Sequence, residues 1–474
     1  MDISEDFGGG VMDSLRPFED WLDSYLNFEK LPQKNIFWLD TMEFLCNKLG
    51  PPQDAVPCFH VAGSKGKGSI SCMIASILTQ AGYKTGLYTS PHIQTLKERI
   101  SSPKGFFSDE VYLSSAEELK ACVSSIPASQ LPGGRPLTWF ELVTLFGMLC
   151  FKNARVDYSV YEVGLGGRLD ATNVVRPLCS CIGPIELEHT EYLGDTLEKI
   201  AAEKAGIIKS GVPLVVSAQK SSKVRKVFEK KAKEAGSRII FADKCSKVCK
   251  LVYKNKLTNG SFASVEGDER SLGMEITIKS PLFSRPLRTT LRMLGKVQAQ
   301  NACVAALAVK TALPQVDEET IEKGLSEAFL PARFEILGKK DGLPLMILDG
   351  AHTVNSVGYT LKTLQSLVGI GNMKRVHVLY ASAADKDVES IARLFKGRCR
   401  RLTLTRPGLV KQCDLPRLNA AFQSAGLSSC LVEDTEEAFF KASQCALDEG
   451  GLLLVTGSFY LVAEVKKILQ SPRG

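Results

Sequence analysis

The chain has 474 residues, 44% of them apolar and 23% charged, with a net charge of +7. The length asks for two or three globular domains, and the mild positive charge permits anionic substrates while giving no reason to expect nucleic acid. The 14 cysteines are spread too thinly for a small secreted framework, and the close pairs Cys179/Cys181 and Cys245/Cys249 lack matching pairs at zinc-finger spacing. No basic-then-apolar leader opens the chain and no apolar run reaches about 18 residues, so a cytoplasmic protein without a membrane partner is expected.

In chain order, "VPCFHVA" reads as a short buried strand. "GSKGKGS" (63–69) follows, and then Ile70, Met73, Ile74, Ile77 and Leu78 keep helical spacing until Gly82 ends the helix. "KTGLYTS" is a second strand, and "LTWFELVTLFGMLCF", with Glu141 as its one charge, is a buried helix. "VDYSVYEVG", "PLCSCIG" and "GVPLVV" are further strands. The basic stretch "KSSKVRKVFEKKAKEAGSR" carries Val224, Val227 and Phe228 at helical spacing and reads as a solvated helix. Strands alternating with helices predict an α/β fold with a doubly wound, mostly parallel sheet.

From Cys249 to Leu294 the pattern turns β-rich, with "KLVYKNK", "MEITIKS", "LRTTLRML" and a "TNGS" turn, attached to the first domain. A helix covers Gln298–Leu313. A second alternating series begins after "LPARFEIL": "LPLMILDG", "RVHVLYA", "RLTLT", "SCLVE" and "GLLLVTGS" are strands separated by helices. The expected boundary lies near Pro331. It gives a large P-loop ATPase-like domain, 1–330, with a small β-rich section, and a smaller Rossmann-like α/β domain, 331–474.

Strand, glycine-rich turn and helix is the context in which backbone N–H groups surround phosphates, with the helix N-terminus adding positive potential. Gly63, Gly66 and Gly68 let the backbone approach closely, Lys67 reaches the outer phosphates, and Ser69 can approach a magnesium ion. Gly68 between Lys67 and Ser69 departs from the ordinary P-loop spacing. Glu162 closes an apolar strand, where a carboxylate is costly unless paired or on a metal.

"HVAGSKGKGS", "TSPH", "LTWFE", "YEVGLGGRLDATNV", "EHTEYLGDTLEKIAAEKAGIIK", "PARFE", "LDGAH", "DKD" and "GSFYLV" stand in this order between about residues 20 and 465. The ordered set resembles the folylpolyglutamate synthase/dihydrofolate synthase family, which belongs with the Mur ligases. The resemblance implies an ATP-dependent carboxylate–amine ligase, in which a pteroate or folyl-glutamate carboxylate is phosphorylated and the amino group of L-glutamate attacks the acyl phosphate. It is closer to members with dihydrofolate synthase activity, often bifunctional. The rivals are a Mur-type UDP-sugar amino-acid ligase, against which "LTWFE" and "GGRLDATN" argue, and a P-loop phosphotransferase that makes no amide.

The same resemblance assigns site residues. Ser90, Glu162 and His189 match magnesium ligands, and Lys204 matches a lysine carried as a carbamate for a second magnesium. Lys67, His189 and Lys204 are the implied catalytic set. Asn301, Arg333, Asp349 and His352 join Gly63 and Gly66–Ser69 as ATP contacts. Thr138, Trp139, Phe140 and Glu141, with Leu169, Asp170 and Ala171, match contacts of dihydropteroate or folate. ATP and two magnesium ions are implied, with a monovalent cation as a further candidate, and a monomer is expected. Val297, Glu188 and Thr353 depart from residues frequent in the family at those positions. The "DKD" at 385–387 is left without a role.

Overall fold

Seven strands build the first sheet: β1 Cys58–Ala62, β2 Thr85–Tyr88, β3 Ile100–Ser101, β4 Tyr158–Glu162, β5 Cys179–Ile182, β6 Leu214–Val216 and β7 Ile239–Phe241. Their order is β3-β2-β4-β1-β5-β6-β7, parallel except for the antiparallel edge β3. In the computed structural model the described residues are 14–27, 38–254, 272–339, 342–408 and 412–471. All five strands expected in this half are present, and the central ones are buried along their length save for the half-buried Tyr158 that opens β4, as a sheet covered on both faces requires.

The helix Trp139–Asn153 anchors one side of this sheet. Eleven of its residues are buried, among them Leu145, Phe146, Leu149 and Phe151. Phe146 packs 4.5 Å from Phe18, and Phe151 packs 5.7 Å from Tyr161 of β4. Each such side chain contributes roughly 1.5–3 kcal/mol by leaving water. The basic helix is Ser222–Glu234, with Val224 and Phe228 buried and its lysines turned outward.

The chain divides into two compact units, Met1–Cys245 with Val304–Val316, and Ser246–Cys303 with Asp317–Gly474. The second unit holds a three-stranded antiparallel sheet, β10-β9-β8, from β8 Lys247–Tyr253, β9 Met274–Lys279 and β10 Leu287–Leu291. The sequence reading attached these strands to the first domain, and their contacts explain the difference. Tyr253 hydrogen-bonds Thr363 and Ser366, Thr289 donates to the Glu322 carbonyl at 2.7 Å, and Arg285 is paired with Glu322. The expected "TNGS" turn lies outside the described residues.

The second unit's larger sheet has six strands: β11 Glu335–Leu337, β12 Leu345–Asp349, β13 Val376–Tyr380, β14 Arg401–Leu404, β15 Cys430–Leu431 and β16 Leu452–Thr456. The order is β11-β12-β16-β13-β14-β15, with only β11 antiparallel. "EIL" runs antiparallel to β12 as an edge strand, and the parallel series begins with "LPLMILDG", as expected. Two of the buried thiols, Cys46 and Cys58, are held in the reduced, protonated form, each pushed up to about 12 by burial. The described cysteines are all free. Among the described residues no helix is long and apolar enough to cross a membrane.

Candidate functional site

In the first unit β1 leaves the sheet between β4 and β5, at the kind of crevice where open α/β sheets bind ligands. Gly63 follows with φ 144°, and a Cβ there would lie 2.8 Å from the backbone of Gly183 at the end of β5. The Ser64 and Lys65 N–H groups donate to the Pro184 carbonyl, at 3.0 and 3.4 Å, and the Ser64 hydroxyl donates to Glu186. The loop is thus stitched to the chain beyond β5. Gly66 then turns through φ 80° and caps the helix Lys67–Gln80. The N–H groups of Lys67, Gly68 and Ser69 open that helix, where the first turn has no intrahelical partner and the dipole is positive. Lys67 folds its ammonium onto the Gly63 carbonyl at 3.0 Å. Every predicted residue of the phosphate loop takes part in this one turn.

The strands flanking β1 bring up acids and a buried lysine. Glu162, buried at the end of β4, accepts the Ser90 N–H at 3.1 Å beyond β2. Lys204 ends the helix Leu197–Lys204 with its side chain 1% exposed and bonded to Glu188 at 2.9 Å. Burial first, and then the Lys67 charge, push Lys204 down to about 8, with Glu188 and Asp170 offsetting this in part. Burial pushes the Glu188 carboxyl up, but Lys67, Lys204 and Lys65 outweigh it and leave it below the usual range. His189 is exposed and caps a short helix in a left-handed conformation, φ 45°.

Among the described residues no group of three or more His, Cys, Asp or Glu side chains is gathered to hold a metal. Magnesium needs no such cage: it takes one or two protein oxygens together with phosphate oxygens and waters. Glu162, a buried carboxylate at the end of the strand beside β1, with Ser90 held against it through its backbone N–H, offers the kind of sparse oxygen donor set that fits that ion.

The "GLGGRLDATN" segment packs tightly on the Lys204 helix. A Cβ at Gly167 would meet the Glu203 carbonyl at 2.8 Å, and one at Gly164 would meet the Phe140 ring at 2.4 Å. Asp170 is buried and fully engaged. It accepts the Leu165 and Thr172 N–H groups at 2.9 and 3.0 Å and the Thr172 hydroxyl at 2.5 Å. Thr172 in turn contacts the buried His60 Nε2 at 2.8 Å, so the imidazole donates there. Burial, helped by Lys209, holds His60 neutral, down to about 3. Leu169 and Ala171 flank Asp170 in the same turn.

"LTWFE" serves the fold in a way its spacing announces. Thr138 and Glu141 form a reciprocal capping box: the Glu141 carboxylate accepts the Thr138 N–H at 2.8 Å, and the Thr138 hydroxyl caps the Glu141 N–H. Trp139 is buried, 4.8 Å beneath the guanidinium of Arg99. Phe140 is half-buried, its ring against Gly164 and 6.5 Å from that of Tyr88.

In the second unit Arg333, Asp349 and His352 come together around β12. Arg333 lies over the Phe459 ring at 4.6 Å, and the His352 ring is 5.9 Å from the same ring. His352 Nδ1 donates to the Gly350 carbonyl at 2.9 Å. Asp349 accepts the Phe334 and Ala351 N–H groups and the Thr360 hydroxyl, at 2.8, 3.0 and 2.8 Å. Burial raises its carboxyl, against the pull of these bonds and of Arg333. Asn301, buried in the helix Lys296–Ala312, donates to Gln298 one turn earlier. In the "DKD" segment Asp387 caps the helix Val388–Leu394, and Arg417 donates to the Ala384 and Lys386 carbonyls. Sequence reading did not pair Lys204 with Glu188 or His60 with Thr172, which lie far apart along the chain, whereas the Thr-x-x-Glu spacing of Thr138 and Glu141 announces a capping box.

Residues 332–459 match the family model of the Mur ligase, glutamate ligase domain. The chain is 29% identical over 458 residues to a dihydrofolate synthase/folylpolyglutamate synthase of Bacillus subtilis, covering 95% of this chain and 98% of that one. Its fold is similar to that of folylpolyglutamate synthase from Thermotoga maritima, with TM-score 0.78 and 29% identity over 96% of this chain and 97% of that one. It is likewise similar to Mycobacterium tuberculosis folylpolyglutamate synthase, a structure complexed with ADP and AMPPCP, with TM-score 0.81 and 26% identity over 97% and 99%. Two α/β units, a glycine-rich loop after the first strand and this C-terminal match define a ligase of the Mur type. Within that class, the relatives it matches along almost their whole length are of the folylpolyglutamate synthase/dihydrofolate synthase family.

Proposed function

We infer that this chain is an ATP-dependent carboxylate–amine ligase that adds L-glutamate to the carboxylate of dihydropteroate, of folyl-glutamates, or of both, in folate synthesis and polyglutamylation. The observation that carries the reading is the phosphate loop between β4 and β5 with the buried Lys204–Glu188 pair in the electrostatic field of Lys67. A carboxylate oxygen takes the γ-phosphoryl group of ATP, and ADP leaves with the bonding pair. The neutral amine of glutamate then attacks the acyl carbon, phosphate departs with the C–O pair, and the new amide sheds a proton.

Charge is the obstacle, since two anions must meet. Lys67 and the first-turn N–H groups of its helix are fixed donors for the phosphates, and preorganised groups of this kind stabilise the transferring phosphoryl without reorganising. Magnesium, when held by Ser90, Glu162, His189 and a carbamylated Lys204, supplies Lewis-acid neutralisation of the same charge. Lys204 suits carbamylation because a carbamate forms from a neutral amine and CO₂ with release of a proton, and its site disfavours the ammonium. Asn301, Arg333, Asp349 and His352 serve the nucleotide, His352 and Arg333 sharing the Phe459 platform. Phe140 and the Leu169–Ala171 turn receive the pterin, with Asp170 shaping the turn from within. Residues 331–474 act as the glutamate-ligase part, in keeping with the family match. The chain works as a cytoplasmic monomer, with a monovalent cation as a further cofactor.

The test is an assay of purified protein with ATP, magnesium, L-glutamate and either dihydropteroate or tetrahydrofolate. The expected product is one glutamate heavier, and phosphate release should need both acceptor and glutamate. ATP turnover indifferent to glutamate would return the phosphotransferase reading. Carbon-13 bicarbonate should give a carbamate resonance that Lys204→Ala lacks.

A further inference from the structure

Arg333 is carried on backbone that its neighbours do not favour. Ala332 and Phe334, on either side of it, are both left-handed, with φ 58° and 54°. That conformation costs roughly 1–2 kcal/mol for each residue with a side chain, and it persists only where the surroundings over-determine it. Here two buried carboxylates do so from opposite sides. Asp349 accepts the Phe334 N–H at 2.8 Å, and Glu335 accepts the Ala332 N–H at 2.9 Å. The Ala332 carbonyl takes the Gly350 N–H at 2.9 Å, closing the clamp.

Glu335 is only 7% exposed, so its charge needs a partner. Lys466 provides one, with its ammonium 2.8 and 3.1 Å from the two carboxylate oxygens. Lys466 belongs to the helix Phe459–Gln470, which also supplies the ring under the Arg333 guanidinium. Phe459 and Lys466 are seven residues apart, two turns along one face. One helix therefore holds Arg333 twice: its ring supports the guanidinium, and its lysine secures the carboxylate that fixes the backbone.

We propose that Glu335 and Lys466 are a positioning pair for Arg333, which neither the site motifs nor the family match assigns. The proposal rests on reading Arg333 as a nucleotide contact. The pair sets how well the guanidinium is aimed, and so governs affinity for ATP while leaving affinity for the pterin acceptor unchanged.

The experiment uses the full chain and the variants Arg333→Ala, Glu335→Ala, Glu335→Gln, Lys466→Met and the double variant Arg333→Ala/Glu335→Ala. KM for ATP, KM for the acceptor, kcat and Tm are measured for each. Glu335→Ala should raise the KM for ATP about tenfold, within the range of couplings between touching residues, with the acceptor KM unmoved. Glu335→Gln keeps an oxygen for the Ala332 N–H and should recover most of the loss, and Lys466→Met should fall between. Glu335→Ala should add nothing to Arg333→Ala. Should Glu335→Ala fail to fold, Glu335→Gln and Lys466→Met carry the comparison. An equal rise in the KM for ATP with and without Arg333, or a lowered Tm with an unchanged KM for ATP, overturns the positioning role. An unchanged KM for ATP in Arg333→Ala overturns the nucleotide reading and the proposal with it, a pattern distinct from the other two.

Discussion

Two turns in this molecule carry a cation, Lys67 in one and Arg333 in the other, beside backbone that most residues avoid, and they do it by opposite means. At the phosphate loop Gly63 and Gly66 take φ 144° and 80°, and the neighbouring Gly183 clears the space. Freedom comes from the absence of side chains. Around Arg333 the left-handed positions are Ala332 and Phe334, and buried carboxylates impose the conformation. Absence writes itself into a sequence as a glycine pattern. Imposition does not, because Glu335 and Lys466 are 131 positions apart.

The sharpest way to break the first turn is Lys67→Ala. It should lower the rate by about 10²–10³, or roughly 2.7–4 kcal/mol, as for other preorganised charge-stabilising groups, and steady-state kinetics on folded protein checks it. Gly63→Ala should come next, with about 10²-fold loss, because its Cβ cannot fit beside Gly183 and the loop must shift. Full activity in either variant would leave the phosphate loop without its function.

Acid acts with opposite sign on a buried group of each unit, His60 in the first and Asp349 in the second. His60 is neutral in the fold down to about 3, against 6.5 when unfolded, so the unfolded chain takes up the proton first as pH falls. Stability should be full above pH 6.5 and decline toward pH 3, less steeply in His60→Gln, as urea titrations across pH would show. Asp349, raised by burial, takes its proton first in the folded state, so its contribution favours the fold as pH enters the carboxylate range. The mildest change is Ala332→Gly. Relief of left-handed strain and the greater freedom of unfolded glycine nearly cancel, so stability by urea denaturation should move by less than about 1 kcal/mol.

Much of the architecture was legible. Short apolar runs located the central strands, which are buried on both faces, and period-3.6 patterns located the helices Lys67–Gln80 and Trp139–Asn153, whose apolar faces must follow their geometry. The ordered motifs carried the family. The strand β11 was not legible as an edge, for nothing in "EIL" states its direction. The placement of β8–β10 depended on Tyr253 and Thr289 finding partners far along the chain. Asp170 and Asp349 entered as ligand contacts implied by the resemblance, yet both are buried hubs for backbone N–H groups, which only folding reveals.

The reduced thiols give the molecule a built-in clock. Cys46 and Cys58 are shut away from solvent and, at about 12, carry almost no thiolate at neutral pH. Since thiolate is the reacting species, an alkylating reagent can modify them only after the chain around them opens. The rate at which these thiols are capped, read by mass against the partly exposed Cys122 and Cys430, then reports how often the first unit's core comes apart. Nucleotide bound at the loop that springs from Cys58's own strand should slow that clock, before any catalytic turnover is measured.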